Sequence, residues 1–162
     1  MTGQRETVGV VTLEPMTTSE YRRWLEPTIV EYAQDKVASG EWAQDGSVAR
    51  SRRAFRDLLP NGAATPDHRL FTARADGEEI GTLWLYVSAE HADAFIYDIA
   101  VHEPQRGRGL GRALLGAAET WSRERGMRSV SLHVFGHNAV ARRLYVSAGY
   151  EVTDLSMRKL LG

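Results

Sequence analysis

The segment Ala94-Phe95-Ile96-Tyr97-Asp98-Ile99-Ala100-Val101, followed closely by Gln105-Arg106-Gly107-Arg108-Gly109-Leu110-Gly111-Arg112, decides the fold. The first part is β-branched and aromatic and predicts a strand. The second opens a stretch with Leu110, Leu114, Ala117, Ala118 and Trp121 at helical spacing. Strand, glycine turn and helix N-terminus thus stand in that order. Three glycines at alternate positions remove Cβ atoms where a backbone must approach an anion closely. The helix N-terminus adds free N–H groups and the positive end of a dipole. Arg106, Arg108 and Arg112 can supply charge-assisted hydrogen bonds to phosphate oxygens. A bare Gly-x-Gly often makes only a tight turn; the flanking strand, helix and arginines favour a polyphosphate cradle.

Outward from this stretch the chain alternates strand and helix signals. Upstream, Val8 to Leu13 reads as a strand closed by Pro15. Glu20 to Ser39 then carries Tyr21, Trp24, Leu25, Ile29, Tyr32 and Val37 at roughly 3.6-residue spacing. Asp45 to Leu59 predicts a second helix whose arginines Arg50, Arg52, Arg53 and Arg56 form a solvated face. His68 to Ala75 and Ile80 to Ser88, joined through Asp76-Gly77-Glu78, predict a hairpin, extended by Asp93 to His102. Downstream come a strand over Ser129 to Phe135, a helix over Asn138 to Ala148 and a final strand near Tyr150 to Leu160. The order β-α-α-β-β-β-α-β-α-β implies an α/β or α+β fold with a mixed sheet and helices on both faces, in a single domain over residues 1–162.

Composition narrows the function classes. Twenty basic residues against 21 acidic ones give a net charge of -1, so no global attraction draws the chain to nucleic acid or an anionic membrane. Cysteine is absent, which removes disulfides, thiolate metal sites and Cys nucleophiles, and fits a reducing cytoplasm. No run approaches the ~20 apolar residues of a membrane span. Lys36 and Lys159 are the only lysines among 20 basic residues, a bias consistent with a GC-rich bacterium. His133 and His137 would have metal-pair spacing only on a helix, and no metal site is expected.

Gly-x-x-x-x-Gly-Lys-[Ser/Thr] is absent, and Gly107-Arg108-Gly109-Leu110-Gly111 does not fit Gly-x-Gly-x-x-Gly, which disfavours ATP and NAD. Arg106-Gly107-Arg108-Gly109-Leu110-Gly111 instead resembles the [Gln/Arg]-x-x-Gly-x-[Gly/Ala] signature of the GNAT N-acetyltransferase superfamily. Asn138-Ala139-Val140-Ala141-Arg142-Arg143-Leu144-Tyr145, running on to Gly149-Tyr150, resembles its later motif. The chain looks like a bacterial subgroup of undefined acceptor.

The resemblance implies a mostly antiparallel sheet splayed between its two parallel strands, with acetyl-CoA as cosubstrate. Ile99, Ala100 and Val101 would pair with the pantetheine arm and polarise the thioester, Arg106 through Arg112 would hold the pyrophosphate, and Asn138 would bond the pantetheine region. Tyr145, two helical turns after Asn138, would protonate the leaving thiolate; read by spacing alone it is a half-buried aromatic. His133 and Asp98 are the candidate general bases, and Asp98 is equally suited to pairing with a nearby arginine. Tyr21, Trp24, Tyr32 and Trp84 are candidate acceptor-lining residues, although an aromatic stripe is more often core. The implied activity is direct acetyl transfer to a primary amine in a ternary complex, with a homodimer as candidate assembly. The rival readings are a non-catalytic acyl-CoA sensor and, more weakly, nucleic-acid binding through Arg50 to Arg56 and the Arg106 turn.

Overall fold

The computed structural model describes residues 9–162; Val8, at the start of the expected first strand, lies outside them. Five strands and four α-helices follow in the order β1 (Val11–Pro15), α1 (Thr18–Ala38), α2 (Ser47–Leu58), β2 (His68–Ala75), β3 (Glu78–Ser88), β4 (Asp93–Val101), α3 (Leu110–Glu124), β5 (Ser129–Leu132) and α4 (Ala139–Ser147). The strands lie side by side in sequence order. β1 to β4 form an antiparallel meander, and β4 pairs with β5 in parallel. The sheet is mixed, as the element order predicts, and mostly antiparallel, as the family resemblance implies.

The alternation of a pleated strand sorts its residues to two cores. Phe71, Ala73, Leu83, Leu85 and Ile96 face α3, where Leu110, Leu114, Leu115 and Ala118 complete one buried cluster. Leu70 and Trp84 face the other way and meet Trp24 and Ile29 of α1 and Phe55 of α2. Helices therefore cover both faces. Thr17 caps α1 by accepting the Glu20 amide at 3.2 Å. Ser51, fully buried on α2, donates to the Ile29 carbonyl at 2.7 Å and locks the two helices together. Two of the four arginines of α2 are engaged at its surface, Arg52 with Glu26 at 2.8 Å and Arg50 4.6 Å over the Trp42 ring, while Arg53 and Arg56 are exposed.

Two expectations need correction. β5 ends at Leu132 rather than reaching Phe135, because β4 and β5 part there: their register closes at Ile96↔Leu132. The final strand over Tyr150 to Leu160 does not form, because a strand exists by pairing and no strand among the described residues pairs with it. β5 is consequently an edge strand among the described residues.

The parting of β4 from β5 originates in the pairing of β4 with β3. A bulge between Trp84 and Leu85 leaves Tyr97 unmatched, so Asp98 opposes Trp84 while Ile96 opposes Leu85. Beyond it, Gly81 lets β3 approach β4 closely: a Cβ at Gly81 would stand 2.1 Å from the Ala100 carbonyl oxygen. Gly81→Ala is expected to push β4 away and destabilise by roughly 1–3 kcal/mol, seen as a melting temperature lower by about 2–12 °C for a chain of this size.

Candidate active site

The parting strands leave the open side of β4 available. His102 N–H donates to the Ile80 carbonyl at 2.8 Å, which fixes the hydrogen-bonding phase of β4 against β3. By alternation Ala100 turns its amide and carbonyl to Thr82 on β3, while Ile99 and Val101 turn theirs to the open side. Of the three residues expected to present backbone there, two do so. The Val101 carbonyl accepts the Arg106 guanidinium at 3.0 Å, as expected of a group with no strand partner.

Gly107 and Gly109 in the turn after β4 adopt left-handed φ values of +79° and +75°. Gly109 is the N-cap of α3 and supplies no side-chain acceptor, so the first amides of the helix have no capping partner from it. Arg106, Gly107, Arg108, Gly109 and Arg112 are exposed around this end, whereas Leu110 points into the core and only its backbone belongs to the turn. Arg108 is held by Gln105 at 2.8 Å, and Arg112 by the Ser147 hydroxyl of α4. The cationic groups thus ring a helix N-terminus that itself attracts anions.

Below the turn a cavity of about 350 Å³ opens between β4, the end of β5, α1 and α4. It brings together Asp98, Ile99, Ala100, His133, Asn138 and Tyr145, which the sequence scatters over nearly fifty residues. Asp98 sits at its inner wall. One carboxylate oxygen accepts the Trp24 indole N–H at 3.2 Å, and among the described residues the other has no partner and no arginine pairs with the carboxylate. Burial pushes its carboxyl from the ordinary 3.8 up to about 6, opposed by the Trp24 hydrogen bond and assisted by the charge of Glu31. Burial, and secondarily the charge of Asp98, also raises the Tyr145 hydroxyl above its ordinary value, and both groups line the same cavity. The Tyr145 hydroxyl makes no hydrogen bond among the described residues. It is therefore a free donor facing the space where β4 and β5 part.

Asn138 lines the cavity too, but its side-chain oxygen caps α4 by accepting the Ala141 amide at 3.1 Å, so its amide NH₂ is what remains for a ligand. His133 follows β5, exposed at the rim, with its ring 5.0 Å from Phe135. Tyr32 and Trp84 line the cavity, whereas Tyr21 and Trp24 belong to the α1/α2 core, where Trp24 acts on the site through Asp98. His137 bonds Asp35 at 3.1 Å and approaches no second metal-type ligand: among the described residues no three such side chains converge. Sequence reasoning missed Thr28, Glu31 and Asp35, which line the cavity beside Tyr32. Their signal was present, since 28, 31, 32 and 35 recur at helical spacing on one face of α1.

A model of the Acetyltransferase (GNAT) family matches residues 35–150. The chain belongs to the GNAT family. Over 154 residues it is 41% identical to the uncharacterized N-acetyltransferase YycN of Bacillus subtilis, covering 93% of this chain and 99% of that one. It is 35% identical to a second such protein of B. subtilis, YdgE, over 93% of this chain and 98% of the relative. The crystal structure of YycN, a putative acetyltransferase, superposes with a TM-score of 0.90 at 40% identity over 93% of this chain and 98% of that one. The GNAT fold is accordingly shared in full by a solved relative. No helix among the described residues is long and apolar enough to cross a membrane.

The raised carboxyl of Asp98 has a measurable consequence for this GNAT protein. Between pH 3.8 and about 6 the folded chain holds a proton that the unfolded chain has released, so stability falls as pH rises through that window. Asp98→Asn removes the slope. It is expected to raise the melting temperature at pH 7.5, by the equivalent of up to about 3 kcal/mol, and to leave it unchanged near pH 4. Thermal unfolding at the two pH values checks this; an Asn variant that keeps the wild-type slope would place the titrating group elsewhere.

Proposed function

We propose that the chain transfers the acetyl group of acetyl-CoA to a primary amine by direct attack in a ternary complex, in the cytoplasm. The observation that carries this reading is the cavity where β4 and β5 part, joining a proton acceptor, a proton donor and outward backbone amides below an anion-binding turn. The residues present suit acetyl-CoA. Pantetheine amides find strand-like partners in the backbone of Ile99 and Val101, and the pyrophosphate finds the glycine turn and α3 N-terminus ringed by Arg106, Arg108 and Arg112. Bound there, acetyl-CoA supplies the acyl group as an activated thioester.

Asp98 is the stronger base candidate: its free oxygen faces the cavity, and a carboxyl held near pH 6 accepts a proton readily at neutral pH. His133, exposed at the rim, is the alternative. In the proposed sequence Asp98 takes a proton from the acceptor ammonium. An amide N–H of Ile99 or Val101 then stabilises the negative charge developing on the carbonyl oxygen. The nitrogen bonds to the acyl carbon, and as the C–S bond breaks Tyr145 gives its proton to the departing sulfur and recovers one from the nitrogen, which sheds its second proton on becoming the amide. Glu31 and Asp35 add negative charge to the acceptor wall, the Lys36 ammonium beside them is paired with Glu41 at 2.6 Å, and Tyr32, Phe95 and Phe135 add aromatic surface, a lining that favours a cationic amine with an apolar body. Most of the acceleration comes from holding amine and thioester together and from the preorganised amides.

Thermal unfolding with acetyl-CoA, CoA, ATP and NAD side by side tests the cofactor. Selective stabilisation by the two CoA species, ~2.7 kcal/mol at 100 times the dissociation constant, is the expected result. CoA thiol release is then followed across polyamines, amino acids, aminoglycosides and peptides. Tyr145→Phe should lower kcat at least tenfold with cofactor affinity retained, whereas Gly109→Asp should weaken CoA binding. CoA affinity without thiol release under any acceptor would assign the chain to acyl-CoA sensing, and no affinity for CoA would remove both readings.

A further inference from the structure

Trp84 carries no reacting group, yet its ring joins the parts of the site. It is paired with Asp98 across the bulge between β3 and β4. It meets Trp24 edge-on with ring centres 5.6 Å apart, stacks against Tyr97 at 4.6 Å, and forms part of the cavity wall. Trp24 in turn donates its indole N–H to Asp98 at 3.2 Å. The setting of one indole therefore constrains the other, and through it the carboxylate. Trp84 is only 2% exposed, and a buried indole N–H needs an acceptor. His68, at the start of β2, provides it: Nδ1 accepts the Trp84 N–H at 2.9 Å.

Indole is a donor only, so this bond fixes the state of the imidazole: Nδ1 is bare, the ring proton sits on Nε2, and a doubly protonated ring could not accept at all. The surroundings favour that neutral form. His68 is buried among the rings of Trp84, Tyr86 and Tyr97. Burial pushes its protonation below the ordinary value, opposed by the charge of Asp67 and assisted by that of Arg69. The backbone that delivers it is also specified. Asp67 adopts a left-handed φ of +65°, uncommon outside glycine, and is held from both sides: the His68 N–H donates to the Thr65 carbonyl at 3.3 Å, and the Val87 N–H to the Asp67 carbonyl at 2.8 Å. An apolar side chain could fill the same space, but it would leave the Trp84 N–H orphaned and its ring free to turn. We propose that His68 is a positioning residue: it locks the Trp84 ring, and with it the Trp24 indole, in the setting that keeps one Asp98 oxygen hydrogen-bonded and the other turned to the cavity. The part Asp98 plays as a base rests on the acetyl-transfer reading; the lock does not.

The Trp24 hydrogen bond favours the ionised carboxylate, against burial and the charge of Glu31, so slackening it raises the pH at which Asp98 titrates. Carbon-13 NMR of the Asp98 carboxyl, with no ligand added, is expected to give a midpoint near pH 6 in the wild type. His68→Leu keeps the branching of the side chain but has no acceptor, and should move that midpoint up by about half a pH unit or more, in the direction Trp24→Phe moves it. His68→Asn sets an amide oxygen where Nδ1 stood and should restore the wild-type midpoint. A merely structural role would lower the stability of the Leu variant without moving Asp98, and an unmoved midpoint there, or one that Asn fails to restore, would overturn the lock. Imidazole nitrogen-15 spectra of the wild type serve even where His68→Leu does not fold: a bare Nδ1 with the proton on Nε2 is expected from roughly pH 8 down to 6.5, and a proton on Nδ1 would sink the proposal. With an acceptor in hand, the acid limb of kcat/KM in His68→Leu should shift by the same amount as the Asp98 midpoint. Absence of thiol release under every acceptor would instead remove the acetyl-transfer reading, while the ligand-free titration still decides the role of His68.

Discussion

The pairing of β4 and β5 is short, and everything functional in the molecule follows from where it stops. Four residue pairs hold the two strands in register before they part at Ile96 and Leu132. A longer parallel ladder would close the open side of β4, bury Asp98 beyond reach of any ligand and leave Tyr145 packed against a continuous sheet. The unmatched Tyr97, the close approach at Gly81 and the turn of Gly107 and Gly109 act together on that boundary. One redirects the strand, one keeps it tight against β3, and one aims a helix N-terminus at the space left free.

Asp98 shows how the two cores cooperate at this point. It is carried by a strand whose neighbours Ile96 and Ile99 pack toward α3, yet its own side chain faces α1, where Trp24 meets it. Trp24 itself is fixed by Phe55 and Trp84, the latter edge-on with ring centres 5.6 Å apart. The aromatic cluster under the cavity therefore sets the hydrogen-bonding state of the carboxylate. Packing on one face of the sheet and the environment of the carboxylate in the splay are one structural unit.

Much of this was legible beforehand. Helix and strand periodicities located nine elements to within a few residues, and the two short motifs pointed to Arg106 to Arg112 and to Asn138 to Tyr145, because glycine spacing and helical spacing are local properties. What was not legible depends on pairing. The bulge at Tyr97 turns Asp98 toward Trp24 rather than toward an arginine, and no local pattern announces a bulge. Which backbone groups of Ile99, Ala100 and Val101 face outward is a matter of ladder phase. The tail after Tyr150 has the pattern of a strand, but a pattern cannot supply the neighbour that a strand requires.

The two faces of α1 serve separate ends. Trp24, Ile29 and Ala33 are committed to the interior, while Thr28, Glu31, Tyr32 and Asp35 look into the cavity. On the proposed reading, recognition is thus written on a face whose residues can be exchanged one turn at a time without moving β4, the glycine turn or Asp98. A scaffold divided in this way can drift from one acceptor to another through single substitutions, retaining its chemistry at every step, so kinship in the sheet and turn is compatible with wide divergence in what the molecule modifies.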